Sequence, residues 1–218
     1  MAYDKLRFES YARMGGDESF KLIAKNNIER FNVLNPDVER LKGEMSRLLE
    51  DAENPEDPSS EYDDLLYKLV PVEDERDAHA YVACVFTAMY FEAFIYDYAA
   101  SCLGDKYVKD HIDKLDFMSK WIVVPRLIVG KEMDKEKQAY MVLKQLHKDR
   151  NALVHLKSIE MSLNNYEMVN SSLNHEKHLH RIVGNCKTAL KVVIKELYEI
   201  DPTHPKLSAL VDGITIWD

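Results

Sequence analysis

Residues 74–104 read DERDAHAYVACVFTAMYFEAFIYDYAASCLG, and this stretch decides the fold. Asp74 is a suitable helix cap, and Gly104 is a C-terminal stop signal thirty residues on. Between them apolar residues fall on nearly every side of a helix. Such a helix belongs in the middle of a bundle, because any exposed side would present apolar surface to water. Residues 81–103 are also long enough to cross a bilayer, yet they hold Glu92, Asp97 and the polar tips of Tyr81, Tyr90, Tyr96 and Tyr98. A buried core helix with no membrane partner is the expectation.

The chain on either side is patterned for helices as well. Upstream, Met14-Gly15-Gly16-Asp17 closes an arm and Asp17 caps a helix carrying Phe20, Leu22, Ile23, Ile28 and Phe31. Asn35-Pro36 is expected to end it. A second helix follows with Val38, Leu41, Met45, Leu48 and Leu49. Residues 54–60, NPEDPSS, form the clearest linker, and Pro71 ends a short apolar piece over 65–70. Downstream, short helices are expected over 107–114 and over 117–124, the latter stopped by Pro125. A helix from about Asp134 carries Tyr140, Leu143, Leu146 and Leu153 on one stripe. A polar connection over 164–174 leads to a closing helix over about 174–198, and the apolar tail (Leu207, Leu210, Val211, Ile214, Ile216, Trp217) packs back on the bundle or across a dimer interface. The expected architecture is all-α, an up-and-down helical bundle over residues 73–218 with an N-terminal helical extension and acidic linker over 1–72.

Composition narrows the function. The 218 residues are 46% hydrophobic, enough for one sizeable core, and seven Gly and seven Pro suit helices with short connections. A net charge of −9 argues against a nucleic-acid binder of the basic-surface kind. The charge is uneven, however: acids dominate from Glu44 to Asp77, and bases prevail from Lys106 to Lys157, where a locally basic cleft can form. Three widely spaced cysteines, Cys84, Cys102 and Cys186, fit neither a disulfide framework nor a thiolate metal site. The cytoplasm is the expected location. His175, His178 and His180 invite a metal reading, but only His175 and His178 share a helical face and no thiolate or carboxylate set completes a site. With no Gly-rich phosphate loop, nucleophile elbow or zinc-protease motif, neither metal nor cofactor is expected.

Chemistry concentrates in residues 146–155, LHKDRNALVH. On a helix Asn151 and His155 share one face at i,i+4, while Arg150 sits about 100° round and must swing across to join them. Arg150 offers a planar fork of donors suited to phosphate, and His155 is a proton-transfer group near neutrality. Arg150 pairing with Asp149 or Glu92, with His155 packed at a helix end, is the structural alternative. Lys144 and Lys148 lie on a different face from the apolar stripe, open to phosphate or simply to solvent.

The Arg150-Asn151-x-x-x-His155 spacing, near the end of a long helix, resembles the Arg-x4-6-His signature of the HEPN (higher eukaryotes and prokaryotes nucleotide-binding) superfamily. Residues 90–95, YFEAFI, look like that family's first core helix, where an acidic residue, here Glu92, often faces the site. Residues 115–131 look like the connecting segment of small bacterial members, so the resemblance covers about 75–158. It implies an all-α bundle, a homodimer whose two motifs meet in one cleft, and a metal-independent endoribonuclease acting as a toxin or in phage defence. Arg150, Asn151, His155 and Glu92 are the implied catalytic residues, and Lys144, Lys148 and Lys157 of the basic stretch are the candidate RNA-binding ones. RNA, a second copy of the chain, and an antitoxin or regulatory protein are the implied partners. Lys157 stands where members paired with nucleotidyltransferase antitoxins carry Tyr, which argues against control by AMP transfer. The alternative is a non-catalytic helical dimer that uses the same cleft to hold RNA, nucleotide or a regulatory protein.

Overall fold

The computed structural model describes residues 17–50, 60–155 and 165–214, and among these every regular element is a helix. In chain order they are α1 (Asp17–Glu50), α2 (Ser60–Leu103), a single turn α3 (Asp105–Tyr107) running into a π-helical turn at Val108–Ile112, α4 (Phe117–Val129), α5 (Gln138–Val154), α6 (Asn165–Ile200) and α7 (Pro205–Ile214). The molecule is an all-α helical bundle.

Three prolines expected to break helices do not. Pro36 lies inside α1, Pro71 inside α2 and Pro125 inside α4. An interior proline removes one backbone hydrogen bond and costs about 3 kcal/mol. The apolar stripe continues past each one. Across Pro36, for instance, Ala24, Ile28, Phe31, Val38, Leu41 and Met45 keep helical spacing and are all buried. Each fully buried aliphatic or aromatic side chain contributes about 1.5–3 kcal/mol, so continuous burial outweighs the local loss. α4 ends instead at Gly130, whose φ of 75° is the left-handed conformation of a helix C-cap and whose amide donates to the Arg126 carbonyl.

α2 is the axis of the bundle. Its C-terminal half, from Ala80 to Ala100, contributes the largest share of the main core, including Tyr90, Phe91, Phe94, Ile95 and Tyr98. Trp121 of α4 is wholly buried against it, parallel to Phe94 with ring centroids 6.4 Å apart and edge-on to Phe91 at 5.9 Å. The N-terminal half packs on the second half of α1 around a smaller core of Val38, Leu41, Met45 and Leu69. α2 therefore starts fourteen residues before Asp74, crosses position 72 without interruption, and is joined in the main core by Ile28 and Phe31 of α1. Residues 54–59 of the expected linker lie outside the described residues. α2 is long and apolar enough to span a bilayer by composition, and half of its most apolar window is buried inside the bundle.

A buried guanidinium ties three helices together. Arg76 of α2 has no exposed side chain and donates to Glu176 of α6 at 2.5 and 3.0 Å, to Asp77 at 2.8 and 3.0 Å, and to Asn35 of α1 at 3.3 Å. Lys42 of α1 reaches the same Glu176 at 2.7 Å. Burial pushes the Glu176 carboxyl up, but the hydrogen bonds from Lys42 and Arg76 prevail and hold it below its ordinary range. α6 begins at Asn165, so the connection expected over 164–174 is helical from there on.

At the far end α7 packs back on the bundle as expected, through Leu207, Leu210 and Val211, while Ile216 and Trp217 lie outside the described residues. His204, just before α7, is buried beside Tyr98 and meets Ser101 Oγ at 3.1 Å. Burial pushes its imidazole from 6.5 down to about 4, with Asp201 acting upwards and Lys206 downwards. On acidification the unfolded chain therefore takes up this proton first. Stability from the neutral imidazole is full above pH 6.5 and is lost progressively from there to about pH 4. At about 1.4 kcal/mol per pH unit, the stability difference between the wild type and His204→Gln should shrink by roughly 2–3 kcal/mol between pH 7 and pH 4.5. Urea unfolding at the two pH values measures it, and a difference that stays constant would show that His204 titrates normally.

Candidate functional site

The site is built on α5, and one buried acid sets how that helix is turned. Ala139, Val142, Leu143 and Leu146 bury the inner stripe of α5, and Asp149 continues it, 3% exposed. A buried carboxylate needs a partner. Arg181 of α6 supplies one as a two-pronged clamp at 2.8 and 2.9 Å, and Gln145 adds a third hydrogen bond at 2.9 Å. The clamp fixes α5 against α6 at the point where the motif begins.

With Asp149 turned inwards, Lys144, Lys148 and His155 lie on the outer face and all three are exposed, with Asn151 half-buried among them. Asp149 is thus taken by Arg181, and Arg150 bonds elsewhere: its Nη1 donates to Asn151 Oδ1 at 3.0 Å. The guanidinium does swing across to the Asn151 face. The amide nitrogen of Asn151 meets His147 Nε2 at 3.0 Å, one turn back along the helix. The His147 ring lies flat against Phe117, the first residue of α4, with centroids 5.1 Å apart and planes 2° apart. Asp116 caps α4 through Ser119, whose hydrogen bonds hold the Asp116 carboxyl below its ordinary value, with a smaller downward contribution from His147.

His155 is the C-cap of α5. Its amide donates to the Asn151 carbonyl at 3.0 Å and its imidazole is exposed, without a side-chain partner among the described residues. Arg150, Asn151, His147 and His155 are therefore gathered on the last two turns of one helix. Glu92 makes no side-chain contact with them among the described residues. It is half-exposed on α2, 3.7 Å from Lys120, beside a cavity of about 260 Å³ lined by Phe20, Met89, Tyr96, Asp113 and Lys120. Lys157 lies outside the described residues.

The histidines of α6 diverge rather than converge. His175 Nε2 meets Asp77 at 2.8 Å, His178 Nδ1 meets Arg181 at 2.8 Å, and His180 Nε2 meets Glu176 at 3.3 Å. Glu39, Glu176 and His180 bring ligand atoms within 4.8 Å of one another, the spacing of a possible cation site. Glu176, though, already carries Arg76 and Lys42, whose charges oppose a further cation. Cys84 and Cys186 are buried on facing helices. Hydrogen bonding between them and burial push the Cys84 thiol far above its ordinary value, so it has none of the thiolate character of a nucleophile.

Sequence reasoning missed His147, Phe117 and the Asp149–Arg181 clamp. His147 had a readable signal, since it stands four residues before Asn151. Arg181 had none, because nothing local pairs residue 149 with residue 181. Removing the clamp's exposed half should strand the buried carboxylate: Arg181→Leu is expected to lower unfolding free energy by on the order of 3 kcal/mol. Arg40→Leu, which breaks exposed pairs with Asp37 and Glu44, should cost under about 1 kcal/mol. Equal urea midpoints for the two variants would remove Asp149 from this account. Compared with family models, with curated proteins and with solved structures, the chain gives no match.

Proposed function

We propose that this chain is a metal-independent endoribonuclease of the HEPN kind, working as a homodimer. The observation that carries the reading is the linked string Arg150–Asn151–His147 beside an exposed His155, on a helix whose outer face also bears Lys144 and Lys148. A guanidinium steadies charge developing on a phosphate, and an imidazole moves a proton near neutrality. In the proposed reaction the RNA 2′-oxygen attacks the adjacent phosphorus as its proton leaves, and the 5′-oxygen departs with a proton. Arg150 holds the phosphate, His155 carries a proton, and Asn151 orients the guanidinium. Lys144, Lys148 and Lys157 hold neighbouring phosphates. Glu92 has no part in this reading, since its carboxylate faces Lys120. The toxin or defence setting, with a regulatory protein as restraint, belongs to the same proposal.

A second reading, a non-catalytic helical dimer that holds RNA, nucleotide or a regulatory protein, draws on the engagement of Arg150 with Asn151 in the single chain. Purified protein incubated with total RNA in EDTA separates the two. Cleavage should persist in chelator, give 2′,3′-cyclic phosphate ends, and be abolished by Arg150→Ala and by His155→Ala. Binding without cleavage would favour the second reading, and a strict magnesium requirement or 3′-hydroxyl ends would overturn the mechanism.

The lysines have a separate signature. Lys144→Ala and Lys148→Ala should each weaken RNA binding across sequences and reduce the salt dependence by roughly one phosphate contact. An unchanged salt slope in both would leave these lysines as solvated surface.

The homodimer is tested by mixing. Inactive Arg150→Ala and His155→Ala dimers that exchange subunits should recover roughly a quarter of wild-type activity if each site takes Arg150 from one protomer and His155 from the other. No recovery, with exchange confirmed by mass spectrometry, would place each site within one protomer.

A further inference from the structure

His147 is outside the Arg150–His155 spacing, yet its bonding fixes the chemistry around it. A guanidinium has hydrogen-bond donors and no acceptor. The Asn151 atom facing Arg150 Nη1 at 3.0 Å is therefore the amide oxygen, and the atom facing His147 is the amide nitrogen, which donates. It follows that His147 Nε2 accepts, and that in the neutral ring the proton sits on Nδ1. Phe117, buried at the start of α4, holds the ring flat at 2°. Asn151 is thus gripped from both ends, and turning its amide over would set donor against donor at Arg150 and acceptor against acceptor at His147.

From this geometry we infer that His147 is a positioning residue of the site, which acts through Asn151 to hold Arg150 where it meets phosphate. The inference rests on the ribonuclease reading for its consequence and on the hydrogen-bonded string for its substance. His147 itself touches no substrate. It transmits the orientation of α4 through the Phe117 stack into the guanidinium of α5.

The test uses the full chain and two substitutions. His147→Ala removes the acceptor. His147→Gln restores one, since Gln and Asn at i,i+4 on a helix hydrogen-bond to each other. In the EDTA cleavage assay His147→Ala should lower kcat on the order of 10²-fold, the effect of a displaced catalytic group, with KM little changed. His147→Gln should stay within several-fold of the wild type. Equal loss in both variants, or full activity of His147→Ala, overturns the inference. Circular dichroism identifies a variant that fails to fold. Should the wild type cleave no RNA, the ribonuclease reading fails, and long-range ¹H–¹⁵N spectra of the wild type decide the positioning alone. The expected result is the Nδ1–H tautomer of His147, with Asn151 side-chain amide protons protected in the wild type and in His147→Gln but not in His147→Ala. An Nε2–H tautomer, or unprotected Asn151 protons in the wild type, overturns it.

Discussion

The burial of α2 is the constraint on which the other helices depend. A helix with apolar residues on nearly every side gains stability only when neighbours cover all of it, and α1, α4, α5 and α6 each lay an apolar stripe against it. That demand is strong enough to carry α1 through Pro36, α2 through Pro71 and α4 through Pro125. Each proline removes one hydrogen bond locally, whereas stopping the helix would expose a whole run of buried side chains.

Buried charges then set the register of the helices that surround α2. Arg76 draws Glu176 of α6 and Asn35 of α1 to one point, and Asp149 draws Arg181 of α6 to another. Such pairs add little net stability over apolar packing, but an unpaired partner is costly, so they penalise any rotation or sliding that separates them. For α5 the consequence is the geometry of the candidate site. With Asp149 locked inwards, the side chains on the opposite face are presented to solvent, and Arg150 reaches round to Asn151.

The site is accordingly a rigid arrangement on a helix rather than on a loop. The last two turns of α5 present Arg150, Asn151 and His147 in one hydrogen-bonded string, with His155 beyond them at the helix end. Helical sites hold geometry better than loops because backbone and packing fix each side chain's origin. The link to α4 through Phe117 adds an anchor outside α5.

The sequence by itself determined the helical class, the central place of α2, the inner stripe of α5 through Leu143 and Leu146, and the shared neighbourhood of Arg150, Asn151 and His155. All of these follow from spacing along one helix, where a period of 3.6 residues converts sequence into position. Only the tertiary structure decided where helices end and what each charge meets. Pro36, Pro71 and Pro125 look like stops when read locally, and the stripe that overrides them acts through contacts with other helices. Asp149 looked available to Arg150 because it stands next to it in the chain, and Glu92 looked available to the site because the family resemblance implied an acidic residue there. The partners they found, Arg181 and Lys120, lie 32 and 28 residues away. Burial made the Asp149–Arg181 pairing compulsory, since a carboxylate leaving water takes the partner that the packed helices bring to it, whereas in the Glu92–Lys120 contact the buried partner is the lysine.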